Sequence, residues 1–129
     1  MAQTVLIVED NELNRRLFTD VLRHAGFEVY QAADGREAIA AAQRLRPDVI
    51  LMDMELPRLP GLEATRRIKA DPGLAATPIL AISAFAGAAD AIAAREGGCD
   101  AYLPKPVRPD ALVAAVTAAL SGRRAADRE

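Results

Sequence analysis

Four mainly apolar runs in this sequence each lead, within two residues, into a charged or hydroxyl-bearing group. Val5 to Val8 precede Glu9 and Asp10, and Val49 to Met52 precede Asp53. Ile79 to Ile82 precede Ser83, and Ala101-Tyr102-Leu103 precede Pro104-Lys105. Singly, each has an ordinary explanation. An acid ahead of a helix is a favoured cap, a serine after a strand is commonplace, and a loop lysine is normally solvated. Brought to one place they make a chemical set. Three crowded carboxylates repel one another and need a cation. All-oxygen donors select a hard divalent ion, and Mg²⁺ is satisfied by a few carboxylates plus water. Such an ion also neutralises an incoming phosphoryl group, leaving one carboxylate to accept it as an acyl phosphate. Lys105 would pair with phosphoryl oxygens as a point charge, and Ser83 would donate a hydrogen bond to another. Transfer of this kind is mostly positioning and charge stabilisation, so the set points to a phosphorylatable aspartate.

The elements that must gather these residues are legible in the apolar pattern. The continuous runs Thr4–Val8, Val49–Met52 and Ile79–Ile82 fit strands buried on both faces of a parallel sheet. Phe27–Ala32 reads as an edge strand, and Ala101–Leu103 as a short one. Between them lie helical patterns. Leu13, Leu17, Phe18, Val21 and Leu22 predict one apolar face of a first helix, stopped by Gly26. Asp34-Gly35-Arg36-Glu37 has the spacing of a capping box, and the helix it starts runs to about Leu45. A third helix is expected over 62–70 and an Ala-rich fourth over 87–96. Ile92 is the only large apolar residue of the fourth, which makes it the least firmly held. A fifth helix, about 110–120, carries Leu112, Val113, Val116 and Leu120 on one face. Residues 122–129 read as a polar, Arg-rich, disordered tail.

Strand and helix alternate five times, which implies right-handed crossovers and a doubly wound α/β fold with strand order 2-1-3-4-5. Ligands of such sheets bind beyond the carboxyl ends of the strands. Topology thus brings Glu9, Asp10, Asp53, Ser83 and Lys105 to one edge.

With 129 residues the chain is long enough for one domain and hardly for two. A composition of 51% hydrophobic and 26% charged residues reads as that of a globular domain. A net charge of −2 argues against nucleic acid or a membrane surface as partner. The single cysteine, Cys99, excludes an internal disulfide and lacks the neighbours of a zinc site. There is no signal peptide pattern and no apolar run near the ~20 residues of a membrane span. The expected location is the cytoplasm.

Val5 to Asp10, Leu51-Met52-Asp53, Ser83 and Lys105-Pro106 together resemble the receiver domain of two-component response regulators, in order and spacing, over residues 4–120. The stretches Val8 to Asn14 and Arg95 to Tyr102 are similar to single-domain cell-division regulators of that family. The resemblance implies a (βα)5 flavodoxin-like receiver domain over 1–121. Asp53 would accept a phosphoryl group from a histidine kinase or histidine phosphotransfer protein. Asp10 would bind Mg²⁺, or Mn²⁺ in its place, directly, Glu9 through water and Glu55 through its backbone carbonyl. Lys105 would contact the phosphoryl group, with a cis bond to Pro106. Ser83 and Tyr102 would form a coupled switch pair, Tyr102 turning from an exposed to a buried position. Kinase docking would fall on Leu13, Arg16, Val107 and Arg108. Glu9 stands where Asp is commonest in the family and Ser83 where Thr is, each keeping the functional group. The expected protein is a monomer or weak dimer with no room for a DNA-binding output domain. It would signal to a protein effector rather than turn over a substrate.

Three other readings fit the pattern less well. A flavodoxin-like cofactor module needs a Gly-, Ser- or Thr-rich loop after the first strand, where Glu9-Asp10 would repel phosphate. A phosphatase working through an aspartyl phosphate would carry an Asp where Glu55 stands. A receiver that binds partners without being phosphorylated would not need the complete acidic set.

Overall fold

The computed structural model describes residues 2–85 and 87–127, the last five by backbone alone. β1 (Thr4–Val8), β2 (Glu28–Ala32), β3 (Val49–Asp53), β4 (Ile79–Ser83) and β5 (Ala101–Pro104) form one parallel sheet in the order β2-β1-β3-β4-β5. Between and after them run α1 (Glu12–His24), α2 (Gly35–Leu45), α3 (Gly61–Lys69), α4 (Ala88–Glu96) and α5 (Pro109–Asp127).

The sheet divides the core through its pleat. Successive side chains of a strand point to opposite faces, and the register aligns like with like. Leu6, Ile50 and Ile79 lie side by side on one face, followed by Val8, Met52 and Ala81. There they meet Ala38, Ala41 and Ala42 of α2, Ala64 and Ile68 of α3, and Ala94 of α4. Ile7, Leu51 and Leu80 line the opposite face, beneath Phe18 and Leu22 of α1 and Leu112, Val116 and Leu120 of α5. Helices therefore cover both faces, and β3, between β1 and β4, is buried along its whole length.

Local chemistry fixes the helix ends. The Asp34 side chain accepts from the Glu37 amide at 2.8 Å, and Glu37 reaches back to the Ala33 amide at 3.2 Å. The expected capping box thus closes one residue further back than its usual form. Gly26, at φ +100°, occupies the left-handed position after α1. Gly61 opens α3 against the backbone of β3: a Cβ there would stand 2.0 Å from the carbonyl oxygen of Asp53.

Two expectations need correction. Leu13 and Leu17 are 75% and 49% exposed, while α1 buries Phe18, Thr19 and Leu22. At 3.6 residues per turn, Leu13 and Leu22 lie half a turn apart, so the predicted stripe was wider than the buried face. Thr19 goes inward because its hydroxyl donates to the Arg15 carbonyl and accepts from Gln31, both at 2.7 Å. The tail is the second. α5 continues to Asp127 rather than ending near Leu120, in keeping with the helix propensity of Ala and Arg; residues 128–129 lie outside the described residues. As expected, α4 buries little: only Ala94 is buried, and Ile92 is 57% exposed. Among the described residues no helix is long and apolar enough to cross a membrane.

Candidate functional site

The carboxyl ends of β1 and β3 are adjacent, and Val8 pairs with Met52. One residue further on, Glu9 and Asp53 sit side by side, only 1% and 2% exposed. Asp10, the next residue, is exposed. One carboxylate oxygen from each of the three lies within 4.8 Å of the others.

β5 delivers the cation. The Lys105 amide donates to the Ser83 carbonyl at 2.7 Å, and the Lys105–Pro106 bond is cis as expected. Nζ stands 3.1 Å from Asp53 Oδ2 and 3.5 Å from Glu9 Oε1. The other oxygen of Asp53 accepts from the Glu55 amide at 2.9 Å. Asp53 is thus clamped from both sides.

Glu9 is less well served. Its Oε2 accepts from the Asn11 amide at 3.2 Å, but among the described residues its buried Oε1 has no hydrogen-bond partner. Burial, then the neighbouring carboxylate of Asp53, push its pKa up to about 7. Burial works against the charge of Lys105 too, yet Asp53, Glu9 and Glu55 outweigh it and raise its pKa. Three carboxylates cluster here, two of them paired with one ammonium, and among the described residues one buried carboxylate oxygen is unsatisfied. That donor set fits a hard divalent cation such as Mg²⁺.

Glu9, Asp10, Asp53 and Lys105 therefore converge as the sequence suggested. Ser83 reaches the same edge but does not face the acceptor. It is buried, its hydroxyl donating to Glu55 Oε2 at 2.6 Å and accepting from the Phe85 amide at 3.0 Å. Glu55 was expected to act through its backbone carbonyl; its side chain holds Ser83, and its Oε1 accepts from the Ala84 amide at 2.7 Å. Tyr102 already lies inward in this arrangement, half-buried against the α3–α4 face of the sheet, its shielded hydroxyl without a partner among the described residues. The outward starting position expected for it is not the one found. Of the docking candidates, Leu13, Arg16 and Arg108 are exposed, Arg108 pairing with Asp110 at 3.3 Å, while Val107 is half-buried. Sequence reasoning missed Arg15, whose guanidinium donates to the Glu9 carbonyl at 2.9 Å; nothing in its spacing distinguishes it from Arg16.

The family of response regulator receiver domains matches residues 5–117. The polar-differentiation response regulator DivK of Brucella anthropi is 46% identical over 107 residues, which cover 83% of this chain and 87% of that protein. The chain also superposes on a chemotaxis response regulator of Vibrio cholerae, with TM-score 0.89 and 32% identity over 93% of this chain and 100% of that one. A further likeness is to the receiver domain of a sensor histidine kinase from Pseudomonas aeruginosa, solved with a magnesium ion coordinated in its active site cleft. The TM-score is 0.87 and the identity 36%, covering 94% and 99% of the two chains. Fold, acidic edge and sequence lead to one family: this chain belongs to the response regulator receiver domains, the signalling switches of phosphorelays.

Proposed function

We propose that Asp53 is the phosphoacceptor of a response regulator that receives its phosphoryl group from a histidine kinase or histidine phosphotransfer protein. The observation that carries this reading is the clamped, buried carboxylate of Asp53 between Lys105 and the Glu55 amide, beside two further carboxylates. A carboxylate oxygen of Asp53 attacks phosphorus; the new O–P bond forms as the donor's N–P bond breaks, and the leaving imidazole takes up a proton. Lys105 orients the acceptor and pairs with the charge that arrives on the phosphoryl oxygens. Glu9, Asp10 and Asp53, with the backbone carbonyl of Glu55, would hold Mg²⁺, and Mn²⁺ could take its place. When bound, the metal offsets the repulsion between the acidic cluster and an incoming phosphoryl group. Water attacking the acyl phosphate returns Asp53 and inorganic phosphate, so turnover is limited to the protein's own phosphoryl group.

The receiver domain spans residues 1–121. Its output is a protein contact on the face of α4, β5 and α5, and its kinase contact includes Leu13, Arg16, Val107 and Arg108. Similarity to the polar-differentiation regulator DivK supports a role in cell-division control, and the proposed location is the cytoplasm. Incubation with acetyl phosphate and Mg²⁺ tests the proposal: mass spectrometry should find one hydroxylamine-labile phosphoryl group, and Asp53→Asn should take up none. Retention of the label in that variant sinks the assignment.

A further inference from the structure

A serine hydroxyl has one proton to donate. In Ser83 it is committed to Glu55 Oε2 at 2.6 Å, while the same oxygen accepts from the Phe85 amide at 3.0 Å. Glu55 holds the next residue too, through the Ala84 amide at 2.7 Å. Its own amide donates to Asp53 Oδ1 at 2.9 Å. Residue 55 therefore touches the acceptor through its backbone and the first two residues of the route into α4 through its carboxylate.

We propose that Glu55 is a positioning residue that latches the switch in its resting arrangement, competing with the phosphoryl group for the Ser83 proton. The inference rests on the reading of Asp53 as acceptor. A phosphoryl group on Asp53 adds negative charge and acceptor oxygens at this edge. Ser83 can serve the phosphoryl group or Glu55, not both. Once its proton is withdrawn, the Glu55 carboxylate loses one of its two bonds next to a new like charge. Ala84 is then freed as well, at the point where the chain leaves β4 for the thinly anchored α4. The latch thereby sets how strongly the site must bind a phosphoryl group before the output face responds, since a ligand shifts two states only by its differential affinity for them.

The test is the affinity for the phosphoryl mimic beryllofluoride, titrated with Mg²⁺ and followed by fluorine NMR. Glu55→Ala should bind it about tenfold tighter than wild type, the scale of one hydrogen bond to a charged group. In a Ser83→Ala background, where there is no proton to release, the same substitution should give a clearly smaller gain. Glu55→Gln, which keeps an oxygen for Ser83 but not the charge, should fall between wild type and Glu55→Ala. Without ligand, the Ala84 amide should exchange faster in Glu55→Ala than in wild type. The latch is overturned by no gain in Glu55→Ala or by an equal gain in both backgrounds. A gain in Glu55→Gln as large as in Glu55→Ala also overturns it, because charge repulsion would then account for the effect. Asp53→Asn, run alongside, separates the two claims: binding there as tight as in wild type removes the acceptor reading and the latch with it.

Discussion

Lys105 Nζ lies 3.1 Å from Asp53 Oδ2, tying the end of β5 to the end of β3 across the intervening β4. Asp53 is almost wholly buried, so this contact holds a charge that water does not reach.

Removing the ammonium should therefore cost more than a surface lysine would. Lys105→Met leaves Asp53 and Glu9 facing each other uncompensated, and breaking a buried pair from one side is expensive. Urea unfolding of the metal-free protein should show a loss of about 3 kcal/mol. Added Mg²⁺ should recover part of that loss by supplying the missing positive charge.

The pH dependence of the metal-free protein should carry the signature of Glu9. The unfolded chain releases this proton near pH 4.5 and the folded chain near pH 7. Between those values the folded state binds more protons, so stability falls as pH rises, by at most about 1.4 kcal/mol per unit. Below the window both states hold the proton and above it both have lost it. Glu9→Gln should flatten the curve. Mg²⁺ competes with the proton for the same carboxylates, so its affinity by calorimetry should climb across the window. Asp10→Asn should lower that affinity at every pH.

Tyr102 supplies a prediction of opposite sign. Its hydroxyl is shielded and has no partner among the described residues, a burial that costs about 1–3 kcal/mol when unsatisfied. Tyr102→Phe removes the hydroxyl and keeps the ring. It should raise unfolding stability by about 1 kcal/mol, read from the denaturant midpoint at unchanged slope, and uptake of phosphate from acetyl phosphate should continue.

Two helices should answer truncation very differently. Ile92→Ala on α4 removes an exposed side chain and should change stability by less than about 0.5 kcal/mol. Leu112→Ala on α5 empties a fully buried position and should cost about 3 kcal/mol. Native-state hydrogen exchange should find α4 amides opening at lower free energy than those of α5.

Those contrasts also explain what could be read in the sequence. Val49 to Met52 reveal β3, and hence the place of Asp53, because a strand covered on both faces has no polar alternation to obscure it. The turn chemistry of Asp34 to Glu37 is equally local. The inward face of α1 was misread since apolar spacing lists every residue able to face the core. The Thr19 pairing with Gln31, a contact with the neighbouring strand, decides which face does. The extension of α5 through an Arg-rich segment was obscured because polarity, which suggested a tail, does not oppose helix formation. At the site, carboxylates and lysine were legible from strand ends, because topology alone brings them together. The side chain of Glu55 was not: its partners Ser83 and Ala84 are 28 and 29 positions away, and only the adjacency of β3 and β4 makes them neighbours.

The close approach of Gly61 to the Asp53 carbonyl has a consequence for mutational tolerance. Position 61 has no side chain, no charge and no reactive atom, yet any Cβ there would press on the backbone that carries the acceptor. In a saturation library scored for phosphorylation, substitutions at Gly61 should be depleted nearly as strongly as those at Asp53, and an inserted residue between 54 and 60 should be better tolerated than a single methyl group at 61.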